Sequence, residues 1–165
     1  MNLTLIGMSG VGKSYFGKEV ARRLNFNFID TDDLIRARLN CNLQEFIDKN
    51  GDEAFIKLEE EEVLKIKDIN NTVIASGGSV VYSDKAINHL KSFSKIIFLK
   101  ASLNSIKSWV SGFEQRGIVG LKNKSLSELY NERCDLYKRY AGKIIIIKRG
   151  YDYNKIVNKI ISSNI

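Results

Sequence analysis

Proline is absent from the 165 residues, so helix ends have to be read from Gly, Asn, Ser and Asp. Cysteine is nearly as scarce. Cys41 and Cys134 stand far apart and form neither a C-x-x-C pair nor a disulfide framework, so the expectation is a reducing compartment with both thiols structural. The single histidine, His89, falls in a helical stretch and reads as surface or packing rather than catalysis. No apolar run approaches the roughly 18 to 20 uninterrupted residues that cross a bilayer, and the first residues lack a basic segment followed by an apolar one. No repeat or low-complexity tract occurs. A cytoplasmic protein without a membrane partner is the expectation, and a monomer is the simplest assembly.

A hydrophobic content of 44% is ample for a two-sided sheet, and the length is that of one domain, 1–165. The net charge of +7 raises nucleic acid as a partner, but basic residues are interspersed with acidic ones, as in Glu59 to Glu62 against Lys65 and Lys67. No basic and aromatic stripe emerges, so nucleic-acid binding is not expected. A positive field also suits a polyanionic nucleotide and an acidic substrate.

Apolar runs at Leu3–Ile6, Phe26–Ile29, Val73–Ala75, Ile96–Leu99 and Ile144–Ile147 predict five strands. Helical spacing covers Lys13–Leu24, Asp33–Arg38, Leu43–Asn50, Glu53–Lys67, Asp84–Lys91, Leu103–Trp109, Ser125–Ala141 and Asp152–Ile161. Strands that are apolar on both faces and alternate with helices signify an α/β fold, a parallel sheet covered on both sides.

The strongest motif is Gly7-Met8-Ser9-Gly10-Val11-Gly12-Lys13-Ser14, a complete G-x-x-x-x-G-K-[ST] loop between the first strand and the first helix. Gly10 and Gly12 allow positive φ and a close backbone approach to phosphate. Lys13 reaches the β- and γ-phosphates, Ser14 is the expected Mg²⁺ ligand, and the helix N-terminus favours the anion. Gly10, Val11, Gly12, Lys13, Ser14 and Tyr15 form the expected ATP-contacting stretch, with the Tyr15 ring packing on the helix.

After the second strand comes Asp30-Thr31-Asp32-Asp33, at the carboxyl end of the sheet where ligands sit. Asp33 is expected to cap the following helix. The D-T-D spelling by itself favours capping and solvation over metal or substrate contact. Ser76-Gly77-Gly78-Ser79 after the third strand serves a tight turn as well as a ligand. Residues 111–124, with three glycines and Arg116, lack periodicity and read equally as a closing loop or a surface connection.

In this order the motifs resemble the shikimate kinase family over nearly the whole chain. Asn131 to Tyr137 is similar to that family's R-x-x-L-Y element, Arg116-Gly117-Ile118-Val119 to its R-P-L-L lid motif, and Phe55, Leu58 and Glu59 to its F-R-x-x-E segment. The resemblance implies a nucleoside-monophosphate-kinase-like fold with strand order 2-3-1-4-5, a lid at about 111–124 and substrate-binding helices within about 33–67. It implies ATP-dependent phosphorylation of shikimate or a similar hydroxy acid. Asp30 would act near Mg²⁺, Asp32 would bind substrate hydroxyls and assist proton removal, and Arg133 would hold the substrate carboxylate. Gly77 and Gly78 would line the substrate pocket, and Arg116 would join Lys13 in stabilising the transferring phosphoryl group.

The chain departs from the family pattern at four places. Ile56 stands where a second carboxylate-binding arginine is usual, and Lys57 lies about 100° around the helix from it. Arg36 and Arg38 are the other candidates to replace that arginine. Ser79 replaces the third glycine of G-G-G, and Gly117 replaces the lid proline. The adenine-stacking arginine has no match, leaving Lys107 and Trp109 as candidates.

Overall fold

The computed structural model describes residues 1–112 and 116–163. Its centre is β1 (Asn2–Ile6), where Leu3, Leu5 and Ile6 are fully buried because helices cover both faces. The other strands are β2 (Asn27–Asp30), β3 (Thr72–Ala75), β4 (Lys95–Ala101) and β5 (Lys143–Ile147), all parallel in the order β2-β3-β1-β4-β5. That is the α/β architecture expected from the alternating pattern and the strand order implied by the resemblance. β2 and β5 are the edges, and β5 leaves Ile144 and Ile146 exposed while Ile145 and Ile147 are buried.

The helices are α1 (Lys13–Leu24), α2 (Thr31–Arg38), α3 (Leu43–Asn50), α4 (Asp52–Leu64), α5 (Asp84–Phe93), α6 (Leu103–Trp109), α7 (Leu126–Tyr140) and α8 (Tyr153–Ser162). A 3₁₀ turn at Val80–Tyr82 follows β3. With no proline available, the caps are polar side chains. Asn42 and Ser125 each form a full capping box with the glutamate three residues on, and Ser83, Ser102 and Asp152 cap α5, α6 and α8.

Two apolar clusters result. The larger surrounds the sheet. The smaller joins Ile35, Leu43, Ile47, Phe55, Leu58 and Val119, and so fastens Val119 onto α2, α3 and α4. The expected helix Glu53–Lys67 ends earlier, at Leu64. Its inner face is Phe55, Leu58, Glu59, Glu62 and Val63, a helical spacing that buries two carboxylates along with the apolar residues. Cys134 is buried, but Cys41 is exposed on the surface, which corrects a structural role for it. His89 packs as expected, its Nε2 2.8 Å from the Ile66 carbonyl and its ring edge-on to Phe93.

Candidate active site

The loop from Gly7 to Lys13 leaves the carboxyl end of β1 with Gly10 at φ 85° and Gly12 at φ 97°. A Cβ on Gly10 would come within 2.1 Å of Val110 Cγ2, so glycine is required there for packing as well as for conformation. Gly12 is the N-cap of α1. No side chain caps this helix and no acid lies in its first turn, so its N–H groups face a ligand region rather than a built-in partner. The Lys13 ammonium folds back to donate to the carbonyls of Gly7 at 2.8 Å and Met8 at 3.0 Å. Burial lowers its pKa to about 8, against the pull of Asp32 and Asp30.

β2 delivers its carboxylates beside this loop. Ser14 Oγ donates to Asp30 Oδ2 at 2.5 Å, and Asp30 Oδ1 accepts from the Asp32 N–H at 3.0 Å. Asp30 is therefore the cap of α2, which begins at Thr31. The expected cap, Asp33, lies one turn in, exposed and paired with Arg36. The pair Ser14 and Asp30 offers two hard oxygen ligands, which suits Mg²⁺, an ion that keeps most of its shell as water and phosphate oxygen. Among the described residues no cluster of three or more His, Cys, Asp or Glu side chains could cage a metal. Asp32 is half-buried and its pKa is raised, chiefly by burial, with Lys13 opposing and Asp30 adding to the rise.

The β3 turn forms the floor. Gly77 N–H donates to Thr31 Oγ1 at 2.8 Å, which locks the turn to the start of α2, and Tyr137 Oη donates to the Gly78 carbonyl at 2.6 Å. Above Gly78 lies Arg133, 1% exposed, whose Nη2 donates to the Val119 carbonyl at 2.7 Å and whose guanidinium sits 5.3 Å from the Tyr82 ring centroid. Burial opposes its charge, and Tyr137, Tyr82 and Glu59 more than offset that cost.

A cavity of about 470 Å³ joins the loop, Lys13, Ser14, Asp30, Asp32 and Arg116. Next to it a polar cavity of about 440 Å³ is lined by Asp32, Arg36, Gln44 and Arg116. A third space, between Asp32, Gly78, Ser79, Val119 and Arg133, holds only about 20 Å³, room for about one water. It is small because the segment after Arg116 is docked. Gly117 N–H donates to Gln44 Oε1 at 3.1 Å, Gly120 N–H to Asp52 Oδ2 at 3.0 Å, and Lys122 pairs with Asp48 at 2.8 Å. A Cβ on Gly117 would lie 2.6 Å from Leu43 Cβ, so the residue found in place of the lid proline is the one this contact admits. Of the span 111–124, residues 113–115 lie outside the described residues.

The residues assigned above to nucleotide, metal, acceptor or catalysis border these spaces except Val11 and Gly77, and Lys107, the other candidate for the base, lines none of them. Val11 turns its side chain into the core. Gly77 lies beneath the floor, against Glu59. Tyr15 does not pack as expected: it is 61% exposed, lines the larger cavity and lies 4.8 Å from the ring of Tyr153. Trp109 lines the same cavity and meets Tyr151 edge-on at 5.8 Å. Of the cations that could replace an arginine at position 56, Lys57 is exposed and borders none of the three cavities, and Arg38 is tied to Glu61 and Glu62. Only Arg36 borders the site. Sequence reasoning missed Gln44, Asp52, Tyr82 and the burial of Glu59. For Glu59 the signal was present, since it shares the helical register of Phe55, Leu58 and Val63.

Comparison with known proteins shows the family. The shikimate kinase family model matches residues 9–164. A shikimate kinase of Caldanaerobacter subterraneus subsp. tengcongensis is 38% identical over 139 residues, 83% of this chain and 81% of that protein. A shikimate kinase of Paracidovorax citrulli is 34% identical over 164 residues, 97% of this chain and 90% of that one. Among solved structures, the Aquifex aeolicus shikimate kinase aligns with TM-score 0.82 at 26% identity, covering 99% of this chain and 96% of the other.

Proposed function

Because the chain belongs to the shikimate kinase family, we propose that it transfers the γ-phosphoryl group of ATP to a hydroxyl of shikimate, yielding ADP and shikimate 3-phosphate. The observation that carries this reading is the single cavity in which the phosphate loop and Lys13 face Asp32 and Arg116, with Arg133 behind the glycine floor. In this reading the protein works as a cytoplasmic monomer on small molecules, without nucleic acid. Among the described residues, no helix is long and apolar enough to cross a membrane.

Phosphoryl transfer needs alignment and charge neutralisation more than covalent help. Lys13 leaves the loop carbonyls for the β- and γ-phosphates, and the uncapped N-terminus of α1 supplies N–H donors beside it. Ser14 and Asp30 would hold Mg²⁺, which when bound neutralises phosphate charge. Asp32 orients the attacking hydroxyl and takes its proton. Its raised pKa makes it a stronger base than an ordinary carboxylate. Arg116 projects from the rim of the cavity toward the transferring group, and Gly78 lets the acceptor approach the backbone, with Gly77 beneath it. Arg133 receives the acceptor carboxylate once residues 118–119 lift away, so residues 111–124 act as a lid. The base stacks on the aromatic face made by Tyr15 and Trp109, beside Tyr151 and Tyr153.

A coupled ADP-release assay with shikimate tests the proposal, and turnover no faster than the control without acceptor overturns it. Ile56 favours one second reading, the same reaction on another small hydroxyl compound. A panel of acids, sugars and nucleotides separates the two, and a response to shikimate alone rejects the second.

A further inference from the structure

Glu59 is the one charged group under the acceptor floor that the chemistry above does not use. It projects from the inner face of α4 and is 1% exposed. Its Oε2 accepts from the Ser79 hydroxyl at 2.6 Å. Its Oε1 is, among the described residues, the only buried side-chain nitrogen or oxygen without a hydrogen-bond partner. That oxygen lies 2.0 Å from the point a Gly77 Cβ would occupy, and Asp32 Oδ1 lies 2.9 Å from the same point. Arg133 Nη1 lies 3.0 Å from the corresponding point on Gly78. The paired glycines thus separate two carboxyl groups on one side from one guanidinium on the other.

The charged and titratable groups facing Glu59 are Lys13 from the phosphate loop, Asp32 from α2, and Arg133 and Tyr137 from α7. Where the family pattern has a second arginine, Ile56 packs against the smaller apolar cluster. An acceptor carboxylate seated on Arg133 therefore gathers three anions around one guanidinium, while Lys13 is engaged by phosphate. Excluding water strengthens that repulsion.

We propose that Glu59 is a specificity-determining residue of the acceptor pocket, admitting a carboxylate acceptor only as the neutral acid. A proton drawn from solvent then stands in for the arginine missing at position 56. This rests on the shikimate reading above. Burial, opposed by the Ser79 hydrogen bond and reinforced by Asp32, holds the Glu59 pKa at about 7. The neutral fraction then falls from about nine-tenths at pH 6 to about one-tenth at pH 8, which sets the size of the effect.

The test is steady-state kinetics with ATP and shikimate from pH 6 to 8.5 for the wild type, Glu59→Gln and Ile56→Arg. Calorimetry of shikimate binding to the wild type in buffers of different ionisation enthalpy accompanies it. The expected result is a wild-type KM for shikimate that rises about tenfold from pH 6 to pH 8. Glu59→Gln flattens the profile, Ile56→Arg weakens it, and the KM for ATP does not follow it. Calorimetry registers proton uptake on shikimate binding, a readout that stands even if the variants misfold. A pH-independent KM, an unchanged profile in Glu59→Gln, or binding without proton uptake overturns the inference and leaves the shikimate reading intact. Absence of turnover at every pH overturns both.

Discussion

Replacing Gly77 with alanine is expected to destabilise the protein by about 2–3 kcal/mol, for a reason that lies beneath the site rather than in the backbone. Gly77 is not among the glycines with positive φ, so alanine suits its conformation. Fixing the unfolded chain should even contribute roughly 0.4–1 kcal/mol in its favour. The obstacle is Glu59, whose Oε1 and Cδ would lie 2.0 and 3.1 Å from the new methyl. Ordinary contact needs about 1.5 Å more, and the carboxyl has nowhere to go, since Oε2 is held by Ser79 and the residue is buried. Overpacking costs about 1–3 kcal/mol, and separating Glu59 from Ser79 in the interior costs a similar amount, so the penalty outweighs the entropic gain. Urea unfolding measures it as a lower midpoint at unchanged m-value. In a Glu59→Ala background the same substitution should cost less than about 1 kcal/mol, because the close contact left is Asp32 Oδ1 at 2.9 Å, the end of a side chain that can shift. A Gly77→Ala protein within about 0.5 kcal/mol of wild type, or an equal penalty in both backgrounds, would refute the reasoning.

Four further outcomes follow from the same geometry. Glu59, with a folded pKa raised from 4.5 to about 7, contributes stability that is fully present below pH 4.5 and lost as the pH rises through 7. Unfolding free energies from urea titration should therefore decline between pH 4.5 and 8 by on the order of 3 kcal/mol more in the wild type than in Glu59→Gln. Trp109 is the only tryptophan, so its emission should change on adding ATP, and Trp109→Ala should raise the KM for ATP about 5- to 100-fold while sparing the acceptor. Arg133→Lys keeps the charge but loses the planar fork, so kcat/KM for the acceptor should fall at least tenfold with ATP affinity unchanged by equilibrium titration. Lys13→Ala should abolish acceptor-dependent ADP release in the coupled assay.

The legible parts of the chain were those where one residue type does one job. Leu3 to Ile6 is apolar throughout because both faces of β1 are covered, and Gly10, Gly12 and Lys13 have little other use in that spacing. Asp33 misled because three aspartates and a threonine within four residues all favour helix starts. Asp30 takes the cap because its carboxylate also reaches Ser14, across a distance that sequence does not encode. Glu59 was hidden in a run of four glutamates that resembles a solvated face, although two of the four point inward. Gln44 and Asp52 look like ordinary surface residues, and only the docking of residues 117–122 gives them partners. Arg133 could be singled out only through the family resemblance, since one arginine amid a charged helix carries no local signal of burial.

The outer edge at β5 has a bearing on how the protein behaves outside its active site. Four successive isoleucines, Ile144 to Ile147, run along an edge strand that is paired with β4 on one side only, and two of them are open to solvent. Such a stretch is a template for strand addition by a neighbouring chain. Lys143 at one end and Lys148 and Arg149 at the other bracket it with like charge. Solubility at high concentration therefore depends on three side chains remote from catalysis, and their joint replacement in Lys143→Gln, Lys148→Gln and Arg149→Gln should show first as turbidity, with turnover per folded molecule intact.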